Sequence, residues 1–227
     1  MNETIHFPGD TQVSVGTGHG SLRGRLNLPA QISALVVLTR AGHHPEARDD
    51  ALAVVLQHSG IGTLTLDLLT DAEERFADLH HNVPLLTRRL LDGLALIKRW
   101  MLLGEMPTLP IGLCAAGDCS PVVLRVAALR DRDIFAVVCR GGLIDLAGMV
   151  YLRSLASPLL LLAGEDEQTT ASNWRALREL SCRHELKRLP RGASSSDSPD
   201  SALAFEFVAR ETAHWFVQHR PKVMATS

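Results

Sequence analysis

The sequence predicts an α/β protein: a mostly parallel central sheet with helices on both faces and an N-terminal antiparallel hairpin. Short apolar runs recur along the chain, segments of helical spacing separate them, and the connections are brief. Alternation of that kind implies right-handed crossovers between parallel strands.

The hairpin comes first. TQVSV (11–15) and SLRGRLNLP (21–29) alternate polar and apolar residues at period two on either side of GTGHG. ALVVL (34–38) is a continuous apolar run with β-branched residues, as in a strand buried on both faces. Beyond the loop TRAGHHPEARDD, ALAVVLQHSG has helical apolar spacing and stops at Gly60. TLTLDLL (63–69) predicts a strand, DAEERFADL (71–79) an acidic helical stretch, and LLTRRLLDGLALIKRWML (85–102) a long amphipathic helix. The pattern continues with LPIGLC (109–114) as strand, VVLRVAALR (122–130) as helix and FAVVCRG (135–141) as strand. DLAGMVYLRSL (145–155) reads as partly helical, and SPLLLLAGE (157–165) as a strand. NWRALREL (173–180) is a helix, HELKRLP (184–190) the last strand, and SALAFEFVARETAHWFVQH (201–219) the closing helix.

Composition bounds the function. With 227 residues, 46% of them hydrophobic, the chain can bury the core of a single α/β domain spanning 1–227, with 220–227 expected to fray. Lys plus Arg number 23 against 25 acids, and the net charge of −2 points to neither nucleic acid nor membrane surface as a partner. No apolar run is long enough to span a bilayer, and the start lacks the pattern of a signal peptide. Cys114, Cys119, Cys139 and Cys182 have no metal-site spacing, which favours reduced thiols and a cytoplasmic location. No metal and no cofactor is expected. In such a sheet ligands bind beyond the carboxyl ends of the strands, so the loops after Leu38, Cys114, Glu165 and Leu189 matter most.

Taken together, LRGRLNLPA, GIGTLTLDLLTDAEE, VPLLTRRLLDGLALIKRW, AVVCRGGLIDLAG and SPLLLLAGEDE resemble the dienelactone-hydrolase-like branch of the α/β hydrolases. The resemblance runs from about Leu22 to Phe216 and implies the α/β hydrolase fold. It also implies a nucleophile on a tight strand-to-helix elbow, an acid and a histidine, in that chain order.

Carried over residue by residue, that triad is incomplete. The acid position falls on Asp166, although an Asp at a strand end can equally cap a turn. Counted without a gap from Arg140-Gly141-Gly142, the nucleophile position falls on Gly117, which has no atom that can attack a carbonyl. Asp118 beside it would place negative charge near a developing oxyanion. The family's P-x-A-S-H loop reads P-R-G-A-S-S here, so the histidine position falls on Ser195. Where the branch carries H-G-S-G-S, this chain carries Thr39-Arg40-Ala41-Gly42-His43-His44. Arg40 is either an anion binder at the pocket mouth or a loop decoration, and His43 is a second pocket-lining candidate. The resemblance brings His80-His81 near the site entrance.

Arg140 calls for a carboxylate partner, for which Asp145 is the candidate; the alternative is contact with a ligand. Arg23, Arg25, Arg88 and Arg89 read as solvated charges. Cys114 and Cys119 are alternative nucleophiles or buried small hydrophobes; at a helix N-terminus the Cys119 thiol should ionise more readily. The expectation is a pseudoenzyme with a degenerate triad, a scaffold that binds a small molecule at the strand ends or a partner protein. By analogy with the family, that partner is a phosphoribosyltransferase-type domain. The alternative is an ester or lactone hydrolase using Cys119 or Cys114.

Overall fold

The computed structural model describes residues 10–18, 20–42, 48–164, 167–189 and 199–221. Period-two alternation builds the hairpin β1 (Thr11–Thr17) and β2 (Gly20–Asn27): Leu22 and Leu26 turn inward while Arg23 and Arg25 face solvent. The two strands pair antiparallel from Thr11↔Leu26 to Thr17↔Gly20. The continuous apolar runs form β3 (Ala34–Arg40), β4 (Ile61–Asp67), β5 (Ile111–Ala116), β6 (Ile134–Arg140) and β7 (Leu159–Ala163). With β8 (His184–Arg188) they make one eight-stranded sheet in the order β1-β2-β4-β3-β5-β6-β7-β8. Pairing is parallel from β4 to β8, and β2 joins the hairpin to β4 antiparallel.

Strands buried on both faces need two helical layers, and alternate residues supply them. On one face Leu35, Val37, Leu113 and Val137 pack against α3 (Val83–Leu102) and α4 (Ser120–Leu129). On the other Val36, Leu38, Cys114 and Val138 meet α1 (Asp49–His58) and α7 (Pro199–His219). The short α2 (Ala77–His80) precedes α3, α5 (Met149–Ser154) follows β6, and α6 (Glu167–Leu177) lies between β7 and β8. Leu86, Leu90, Leu94 and Ile97 form the buried stripe of α3, whose start is capped by Asn82 accepting from the Leu85 amide.

Several details depart from the sequence reading. The acidic stretch 71–79 yields only turns and α2, because it lacks an apolar stripe and Glu73 is drawn to Arg89 instead. Arg89 is buried rather than solvated: its guanidinium holds Glu73 through two bonds, at 2.5 and 2.7 Å, and the Leu68 carbonyl at 2.7 Å. Helix α6 starts and ends earlier than the expected 173–180. Arg220, expected to fray, donates to Ser33 Oγ at 2.5 Å. Among the described residues no helix is long and apolar enough to cross a membrane.

Candidate functional site

The carboxyl ends of β3, β4, β5 and β6 lie side by side, and the register sets what they present. Arg40 pairs across with Asp67, Thr39 with Ala115, and Ala116 with Arg140, so two arginines flank the small side chain that ends β5. Arg40 Nε donates to Asp67 Oδ1 at 2.7 Å, which offsets its charge within the sheet. Arg140 is paired too, but with Asp49 from the start of α1 rather than with Asp145. Asp145 accepts a hydrogen bond from Ser172 Oγ instead. Both partners of the Arg140–Asp49 pair are buried, so breaking it would strand a charge in the interior.

Strand β5 ends in the turn that the sequence singled out. Gly117 has φ +51° and opens a single 3-10 turn, Gly117–Cys119, that runs into α4. A Cβ built at Gly117 would meet nothing within 4 Å among the described residues. The loop after β6 presses against this turn backbone to backbone. At Gly142, φ +83°, a Cβ would lie 2.8 Å from the Gly117 carbonyl carbon and on top of its oxygen. Three bonds hold the contact. Ser120 Oγ donates to the Gly141 carbonyl at 2.7 Å, the Gly141 amide donates to Leu162, and Asn173 Nδ2 donates to the Gly142 carbonyl at 2.9 Å. Asn173 Oδ1 also accepts from the Ile144 amide at 3.1 Å.

Cys114 lies within β5 and Cys119 closes the turn, both with buried side chains. Neither forms a disulfide. Burial pushes the Cys114 thiol up to about 11, although Arg140 lies against it. Cys119 was expected to ionise more readily at the end of α4, but its pKa is raised. Loss of solvent dominates, and the charges of Asp118 and Asp49 add to it.

Above the turn, Asp118 is exposed and faces His81, whose Nδ1 lies 3.3 Å from Asp118 Oδ2. His80 packs over the end of β3, where a Cβ at Gly42 would come within 2.9 Å of its Cε1; its Nε2 is 2.9 Å from the Glu74 carbonyl. The structure therefore brings Arg40, Gly117, Asp118 and Arg140 together, with the side chains of Cys114 and Cys119 buried. His43, Asp166 and Ser195 lie outside the described residues. Sequence reasoning missed Asp49, Ser120 and Asn173. Asp49 reads locally as a first-turn acid of α1, and nothing near Ser120 or Asn173 in the chain announces a long-range partner. Among the described residues no group of His, Cys, Asp and Glu could hold a metal ion.

No family model matches the chain. A dienelactone hydrolase from Anabaena variabilis is 30% identical; the superposition covers 95% of this chain and all of that one, with a TM-score of 0.81. Est1E from Butyrivibrio proteoclasticus superimposes with a TM-score of 0.72 over 92% of this chain and 98% of its own, at 12% identity, a likeness of fold alone. Proteins from two Mycobacterium tuberculosis strains, each named "Putative phosphoribosyl transferase", are 30% identical over 213 residues, 92% of this chain. The chain spans about half the length of these relatives, 46%.

Proposed function

The chain belongs to the dienelactone hydrolase family of α/β hydrolases, and from that premise we propose that it is a member without serine-hydrolase chemistry, a scaffold whose elbow cleft binds a small molecule. The observation that carries the reading is Gly117. It stands in the left-handed turn between β5 and α4, where the family resemblance puts the nucleophile, and it offers only hydrogen where an attacking oxygen would be needed. Among the described residues a Cβ at Gly117 would meet nothing within 4 Å, which supports room for a small group against the turn. The residue carried over to the histidine position, Ser195, has no ring nitrogen to take a proton.

Hydrolysis by Cys119 or Cys114 is the competing chemistry, and burial of both thiols weighs against it, because the thiolate is the nucleophile. A protein partner is the second arm of the proposal. The M. tuberculosis relatives are about twice as long as the region they share with this chain, and a phosphoribosyltransferase-type module is the partner we name.

A fluorophosphonate probe and a small aryl ester test the chemistry. The expected result is no labelling, and ester turnover at the buffer background in the wild type and in a Cys114→Ala, Cys119→Ala variant. Labelling that an ester substrate competes away, or turnover lost in the double variant, would overturn the reading.

A further inference from the structure

The span from Arg75 to His81 reaches the ends of β3 and β5 through His80 and His81, and is held very differently at its two ends and in its middle. On the N-terminal side Glu73 is clamped by Arg89 and accepts from the Thr70 amide and hydroxyl, at 3.0 and 2.8 Å. On the C-terminal side Asn82 caps α3, and Val83 and Leu86 enter the core. Between these anchors α2 has no buried residue; Leu79 is half-buried against the core and Phe76 is 61% exposed.

Two adjacent histidines carry this span over the site. His80 covers Gly42 at the end of β3, and His81 reaches Asp118 beside Gly117 at the end of β5. The span therefore bridges the two strand ends between which a ligand would enter. A segment with firm anchors and few buried apolar contacts opens locally at little free-energy cost, without unfolding its neighbours. We propose that residues 75–81 form a lid over the elbow cleft, latched by the His81–Asp118 contact, and that lid opening controls access to Gly117. The proposal rests on the reading of that cleft as a binding site.

The test places a reporter at Gly117. Gly117→Cys introduces a thiol where a Cβ meets nothing within 4 Å among the described residues, whereas Cys114, Cys119 and Cys139 are buried; Cys182, half-buried, serves as the internal control. Alkylation by iodoacetamide is followed in this variant and in one that also carries His81→Ala. The lid predicts labelling about tenfold slower than that of an unfolded-chain thiol, and at least about threefold faster once His81 is removed, with the Cys182 rate unchanged. Hydrogen exchange on the wild type supplies a measurement free of substitutions: amides of 75–81 should exchange well before those of β4 and α3. Equal labelling rates in the two variants, no labelling in either, or exchange over 75–81 as slow as in α3 would each overturn the lid. The fluorophosphonate and ester results bear on the chemistry of the cleft alone, so the two ideas can fail separately.

Discussion

Gly117 and Gly142 touch each other, share a left-handed backbone with φ of +51° and +83°, and have opposite surroundings. Around Gly142 a single added carbon would overlap the Gly117 carbonyl, so the packing of the loop on the elbow requires glycine there. Around Gly117 the same carbon would meet nothing within 4 Å among the described residues. One position is glycine because the fold has no room; at the other, no described residue stands in the way of a side chain. The difference separates a glycine that packing demands from one that the described packing does not demand, and the proposed non-catalytic scaffold builds on the second.

The most forceful way to break the contrast is Gly142→Ala. Strain at a positive φ and overlap with backbone act together, and the expected loss is at least about 4 kcal/mol of unfolding free energy, read from the urea midpoint. A loss below about 1 kcal/mol would mean that the loop can back away from the elbow, and that the clamp by Ser120 and Asn173 is soft.

A second contrast, between two acid–base pairs, sharpens the first. Glu73 and Arg89 meet where Arg89 is buried, whereas His81 and Asp118 meet with side chains 67% and 51% exposed. Arg89 holds the Glu73 carboxyl at about 2, well below its ordinary 4.5, with the Thr70 amide and hydroxyl assisting. A carboxyl depressed by folding contributes stability that is fully present above its unfolded pKa and is lost as pH falls toward the folded one. The window is therefore about pH 4.5 down to about 2. After allowance for partial exposure the contribution is about 2 kcal/mol, so Glu73→Gln should flatten the acid limb of the stability–pH profile by that amount. An unchanged acid limb would remove the anchor that the lid depends on. The exposed His81–Asp118 pair can contribute little to stability, which suits a latch that must release.

Gly117→Ala should cost about 1 kcal/mol, the intrinsic penalty of a left-handed backbone for a residue with a Cβ, and nothing for packing. A cost as large as that of Gly142→Ala would show that the slot at Gly117 is filled, and the two glycines would then be alike.

Much of this was legible in the chain. The alternation of apolar runs and helical spacing, the hairpin around GTGHG and the small-residue turn after LPIGLC are local patterns, written in residues a few positions apart. The element order followed from them because short connections leave few ways to bury strands on both faces. The strand-to-helix turn at Gly117 was read by counting along the chain. Partner choice was not. Arg140 takes Asp49, 91 residues away, over the nearby Asp145; Arg89 turns inward to Glu73 instead of into solvent; and Cys119 loses the benefit of its helix end through burial beside Asp118. His81 meets Asp118 only because α2 folds back over the ends of β3 and β5. Local periodicity depends on a residue's neighbours in sequence, so the sequence by itself determined the scaffold. Charge pairing, desolvation and access depend on neighbours in space, so only the tertiary structure decided which groups meet at the site and which of them water can reach.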